Sequence, residues 1–81
     1  MPRYFFDITD AGRLTRDQYG IELLGDQEAR DQAIALLPAI ARDELPDGDR
    51  HEFVAAARNL AGEVVYEANL TLHGRWWPGR R

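Results

Sequence analysis

The chain of 81 residues contains no cysteine, no serine and no lysine. Without cysteine there is no disulfide framework, no thiolate metal site and no thiol nucleophile. Without serine and lysine, the commonest hydroxyl nucleophile and the Schiff-base amine are gone as well. No apolar run is long enough to span a bilayer, and the opening MPRYFFDITD lacks the basic start and apolar stretch of a secretory leader. The expected address is therefore the cytoplasm, with no membrane partner. The formal charge is −4, although all ten basic residues are arginine. A net anion is repelled by phosphate backbones, so nucleic acid is not the expected partner.

What is present reads as a single domain over residues 1–81, with residues 74–81 forming a tryptophan- and arginine-containing tail. Arg3–Thr9 alternates as a strand, with Tyr4, Phe6 and Ile8 on one face and Arg3, Phe5 and Asp7 on the other. Asp10–Arg13 has turn composition, and a short strand over Arg13–Arg16 returns from it. A brief extended piece follows Gly20. Asp26 suits a helix N-cap, and Glu28 suits the positive end of the helix dipole. Ala29, Ala33, Leu36, Leu37 and Ile40 then fall on one helical stripe. Pro38 lies inside that stripe and predicts a kink or break. Pro46-Asp47-Gly48 ends the helix. His51, Phe53, Ala55 and Ala57 alternate on a further strand. After an Asn59–Gly62 turn, Val64, Tyr66, Ala68, Leu70 and Leu72 are expected to face inward on the last strand, with Val65, Glu67, Asn69 and Thr71 outward. The order is ββαββ: an α+β fold with an antiparallel sheet of about four strands and one Pro-kinked helix on one face.

Several of these stretches occur together in a way that resembles a known family. MPRYFFD, the turn at Asp10–Arg13, D-x-x-G-x-E-L (Asp17, Gly20, Glu22, Leu23), the EAR helix start (Glu28–Arg30) and A-G-E-V-V (Ala61–Val65) resemble a small bacterial domain family of unknown function. The resemblance covers about residues 1–67. It implies this fold and a bacterial cytosolic origin, and it brings no catalytic or binding residues. The stretch DGDRHEFVAAARN is longer than the family's usual DG-R-R-F-E-V, and RWWPGRR falls outside the resemblance.

Candidates for chemistry are few. His51 lies near Asp47, Asp49 and Glu52, and acid–base work would need a partner carboxylate and a pocket. Strand neighbours point to opposite faces, so the simpler expectation is a partly exposed histidine at a strand start. Asp47–Glu52 fails as an EF-hand loop, because the sixth position holds Glu52 and the twelfth Arg58. Asp7, Asp10, Asp17 and Glu22 cluster near the first hairpin, where Asp10 and Asp17 read as turn residues. The glycines form neither a phosphate loop nor a dinucleotide fingerprint. No catalytic residue, metal site or cofactor is assigned, and the chain reads as a non-enzyme.

The remaining signals concern surfaces. One helix covers one face of the sheet. The other face carries Phe5, Val54, Ala56 and Val65 inside a charged surround, a composition that suggests contact. Trp76 and Trp77 bring about 150–250 Å² each, too much to leave in water without consequence. Packing against the chain's own sheet or against a second copy are both open. The interaction surface is therefore Phe5, Val54, Val65, Trp76 and Trp77. The leading expectation is a non-enzymatic interaction module, a homodimer or a partner of another protein, joined through its sheet face or edge and the tail. One alternative is a nucleic-acid-binding regulator that uses Trp76 and Trp77 with Arg75, Arg80 and Arg81. Another is a small enzyme built on His51.

Overall fold

A computed structural model describes residues 1–80. The expectation for Arg81 lies outside the described residues. The elements are β1 (Arg3–Asp10), β2 (Arg13–Thr15), β3 (Ile21–Glu22), α1 (Asp26–Glu44), β4 (Arg50–Asn59) and β5 (Val64–His73). The β1–β2 turn uses Ala11 and Gly12, both at positive φ, as a two-residue hairpin turn demands.

All pairings are antiparallel. The strand order is β2-β1-β4-β5, and β3 pairs with β1 on the same edge as β2. The sheet thus has five strands, one more than the alternation revealed. β3 is two residues long and carries no readable period.

Helix α1 covers one face. Ala29, Ala33, Leu37 and Ala41 are buried against Tyr4, Phe6, Phe53, Ala55 and Ala57. Alanines on the helix meet alanines on β4, which permits close approach and leaves the aromatic rings to supply the bulk. Phe53 is the largest fully buried side chain. The Tyr4 hydroxyl donates to Asp26 Oδ1 at 2.6 Å, tying the helix start to β1.

Four local expectations need correcting. Gly25, not Asp26, is the N-cap; Asp26 is the first helical residue. Of the kink or break expected at Pro38, the break is absent: the helix continues to Glu44. Pro38 lies on the exposed side, where the carbonyl it leaves without a partner faces water rather than the core. The β4–β5 register slips between Ala57 and Arg58, pairing Ala57 with Tyr66 but Arg58 with Val64. This bulge adds Val65 to β5 and changes the facing of the strand's first two residues. Val64 is exposed, and Val65 packs against the core rather than lying on the open face.

Candidate interaction surface

The open face of the sheet is partly sealed by its own side chains. Phe5 and Val54 are half-buried there. The Arg58 guanidinium sits 4.7 Å from the centre of the Phe5 ring. It donates to Asp7 through Nε (2.9 Å) and Nη2 (3.1 Å), a two-pronged ion pair, and Nη2 also reaches the Asp17 carbonyl at 3.0 Å. This arginine, more than any other group, holds the Asp7 carboxyl below its ordinary pKa, against a smaller opposing effect of burial. With Val65 turned inward and Phe5 capped, the patch expected on this face shrinks to Val54 and its neighbours.

One edge of the sheet is also built over. β1 pairs with β3 at Arg3 and Tyr4 and with β2 from Ile8 to Asp10. The gap between them is filled by Asp17, whose Oδ2 accepts the Phe6 N–H at 3.1 Å. Asp17 Oδ1 accepts from Tyr19 and Gly20, and the Asp17 N–H donates to Asp7. Burial works against ionising Asp17, but the N–H groups of Gly20, Phe6 and Tyr19 outweigh it and hold its pKa down. Gly20 has φ +70°, and a Cβ there would lie 2.7 Å from the Tyr4 carbonyl oxygen and 2.9 Å from the Phe5 ring. The D-x-x-G spacing is therefore an edge seal: carboxylate in the gap, glycine against the strand.

Among the described residues, the opposite edge has no such cover. β5 is ten residues long and pairs on one side only, with β4. From Val64 to Leu72 its only charged residue is Glu67, and it contains no proline. Natural edges are usually shortened, charged or interrupted. Here β2 and β3 are short, whereas β5 carries only the bulge near its start. The Gly74 N–H donates to the Asp49 carbonyl. Ladder alternation therefore turns the backbone groups of Leu72, Leu70, Ala68 and Tyr66 toward β4, and those of Thr71, Asn69 and Glu67 outward.

Exposed apolar side chains flank this edge. On the helix side, Leu70 and Leu72 share the face of the buried residues but extend past the cover of α1, as does Ile34 on the helix. Ile34, Pro38, Tyr66 and Leu70 line a shallow apolar groove of about 440 Å³. At the start of β5 lie Leu60, 74% exposed, and Val64. At its end lie Trp76 and Trp77, 62% and 67% exposed. The expectation that the tryptophans cover their own sheet is thus not met. The tail contacts are local: Arg75 stacks 5.1 Å from the Trp77 ring centre, and the Arg80 N–H donates to the Trp77 carbonyl. The described chain measures 56 × 21 × 19 Å, with a radius of gyration of 15.1 Å against about 12 Å for a compact domain of this length.

His51 differs from its expectation. It is buried, 6% exposed, and stacks on Phe53 with ring centres 4.3 Å apart. Nε2 bonds to the Asp10 carboxylate, and Nδ1 lies 3.8 Å from Asp47. The bond to Asp10, against the opposing effect of burial, raises the histidine pKa. In its protonated form, paired with Asp10, the imidazole has no free lone pair with which to act as a base. His51 borders a depression of about 310 Å³ with Arg50, Glu52, Leu72 and His73, but this arrangement is that of an ion pair closing the end of the sheet. Asp49 and Glu52 do not join it.

Among the described residues, no helix is long and apolar enough to cross a membrane. No curated protein and no solved structure matches the chain. The family described as Domain of unknown function (DUF6894) matches residues 3–71, which takes in the helix, the Asp17–Gly20 seal and all of the sheet except the last two residues of β5, and stops short of the tryptophan tail. On that match, the chain is a member of the DUF6894 family.

Proposed function

We propose that this protein is a non-enzymatic interaction module that self-associates through the free edge of β5 and its tryptophan tail. The observation that carries the reading is the contrast between the two edges. One is short, charged and sealed by Asp17; the other is the outer edge of a ten-residue strand, where the backbone groups of Glu67, Asn69 and Thr71 turn outward, flanked by exposed Leu70, Leu72, Trp76 and Trp77. A free edge of this kind pairs readily with another strand, and a two-fold dimer is the commonest closed outcome.

The tail adds apolar area. With about two-thirds of each ring exposed, each tryptophan has roughly 100–160 Å² left to bury, an upper bound of about 2.5–4 kcal/mol per ring. A 100-fold shift in a dissociation constant takes about 2.8 kcal/mol, roughly a quarter of the combined upper bound for the four rings of a dimer.

The test is light scattering over a range of concentrations on the full chain and on a chain ending at Gly74. Among the described residues none of those deleted belongs to the core, so the shorter chain is expected to keep its fold. The expected result is a dimer for the full chain and a dissociation constant at least about 100-fold weaker for the shorter one. Monomers in both cases, up to millimolar concentration, would refute self-association.

A further inference from the structure

The geometry points to a reciprocal clasp between two copies: β5 pairs antiparallel with β5 of the second copy about Ala68, and each tail reaches the Asn59–Gly62 turn of the other. This rests on the self-association reading and specifies its register and partner contacts. Three observations carry it.

The first is parity. Residues directly opposite each other across an antiparallel pair share a face, so a two-fold axis must set a residue against its own copy. Setting Glu67 against Glu67 would oppose like charges, which is unfavourable across strands. Ala68 against Ala68 avoids this. It places Tyr66 opposite Leu70 on the helix side and Glu67 opposite Asn69 on the open side. The groups with free backbone N–H and C=O, on Glu67, Asn69 and Thr71, then meet groups of the same kind, and the close contact at the axis falls on the smallest side chain available.

The second is the position of the exposed apolar residues. Leu60 and Val64 lie at one end of the hairpin, and Trp76 and Trp77 lie beyond the other. Ten strand residues separate these ends by about 33 Å, too far to meet within one chain. Reversal about Ala68 carries the tail of one copy toward the Asn59–Gly62 turn of the other, since Trp76 and Leu60 each lie eight sequence positions from Ala68.

The third is area. Four tryptophans with two-thirds of their surface exposed supply about 400–650 Å² of the roughly 1,600 Å² that a standard stable interface buries. The paired edges and the merged grooves along Leu70 and Ile34 are the source of the rest.

The absence of native cysteine makes the register directly measurable. Ala68→Cys and Asn69→Cys are prepared separately in the full chain and oxidised with copper phenanthroline, with dimer formation followed on non-reducing gels. About Ala68, the two residues at position 68 lie within disulfide reach, about 4.5 Å between Cα atoms. The two at position 69 are offset by two residues, more than about 7 Å apart. The expected result is at least ten-fold faster cross-linking of A68C than of N69C. In parallel, Leu60→Asp and Trp76→Ala, both at exposed positions, each weaken the dimer ten-fold or more and lose less together than the product of their separate effects. A dimer in which N69C cross-links and A68C does not overturns this register and leaves self-association standing. A dimer indifferent to L60D overturns the clasp. A chain monomeric at all concentrations overturns both readings. Should A68C fail to fold, the L60D and W76A pair decides the matter alone.

Discussion

Replacing Asp17 should weaken the fold more than its place in a surface loop suggests. Its carboxylate accepts three backbone N–H groups, from Phe6, Tyr19 and Gly20, at 3.0–3.1 Å. A net hydrogen bond is worth about 0.5–1.5 kcal/mol, and more when the acceptor is charged. Tyr19 is exposed, and its N–H can turn to water, so it belongs at the low end of that range. Phe6 sits in the gap between β2 and β3, where its N–H has no strand partner and its loss belongs at the high end. Asp17→Ala is therefore expected to cost about 3 kcal/mol in all. For a domain of this size that lowers Tm by about 12–24 °C. Asp17→Asn separates charge from geometry. Both oxygens of Asp17 face N–H donors, so either orientation of the amide points an NH2 at a donor, and the loss should approach that of alanine. Thermal melts followed by circular dichroism, with urea titrations at 25 °C, measure both. The folded pKa of Asp17 is lowered, so its contribution is present above the unfolded value of about 3.9 and disappears as pH falls through the folded value. Asp7, lowered chiefly by Arg58, acts in the same acidic window. D17A should accordingly lose less stability on acidification than the parent chain. A D17A variant within about 0.5 kcal/mol of the parent would refute the edge-seal account.

Two further substitutions test other parts of the frame. His51 has a raised pKa in the folded chain, so its ion pair with Asp10 stabilises fully below about pH 6.5 and is lost as pH rises through the folded value. Melting between pH 6 and 9 should show Tm falling for the parent chain and a flatter profile for His51→Asn; equal slopes would count against the pairing. Gly20→Ala meets both a positive φ and a backbone carbonyl 2.7 Å from the new Cβ. The left-handed conformation alone costs about 1–2 kcal/mol, so urea unfolding should show a total loss above about 2 kcal/mol, and a neutral result would mean that the loop moves freely away from β1.

How much of this was legible depended on how far apart the cooperating residues lie. Alternation in Arg3–Thr9 and in His51–Ala57 identifies the faces of β1 and β4 correctly, because each face is decided by neighbours two positions away. The helical stripe is equally local: Ala29, Ala33 and Leu37 are buried as the spacing predicts, with Leu36 and Ile40 at its margin. The Val64-Val65 pair defeats the same method, since two adjacent valines fit either parity and only the slip beside Arg58 decides between them. The ion pairs were out of reach for a different reason. Asp7 and Arg58 are 51 residues apart, and Asp10 and His51 are 41 apart. Each pair meets only because β1 lies beside β4, and nothing in either stretch specifies that neighbour. The DAGR turn and the D-x-x-G spacing were visible as turn chemistry, but the use of Asp17 to fill a gap in a strand edge depends on β3, which is too short to announce itself.

The tryptophan tail poses the same question in reverse. Composition shows that two large rings need cover but not where the cover lies. Packing on the chain's own sheet was a reasonable expectation, and the fold removes it. The helix face is already filled by α1, the centre of the open face is occupied by the Arg58–Asp7 pair over Phe5, and β5 delivers the chain at Gly74 to the end of the sheet, where neither surface continues. What the tail lies next to instead is an edge of unpaired backbone. An edge and an apolar tail in sequence form one continuous strip, and a strip with apolar residues at both ends and small or neutral residues at its middle can be matched by its own reversal. A surface matched by its own reversal closes after two copies and leaves no β5 edge for a third. The short, charged and sealed β2–β3 edge fits that requirement, because a closed pair is stable against growth only if its outer edges refuse partners.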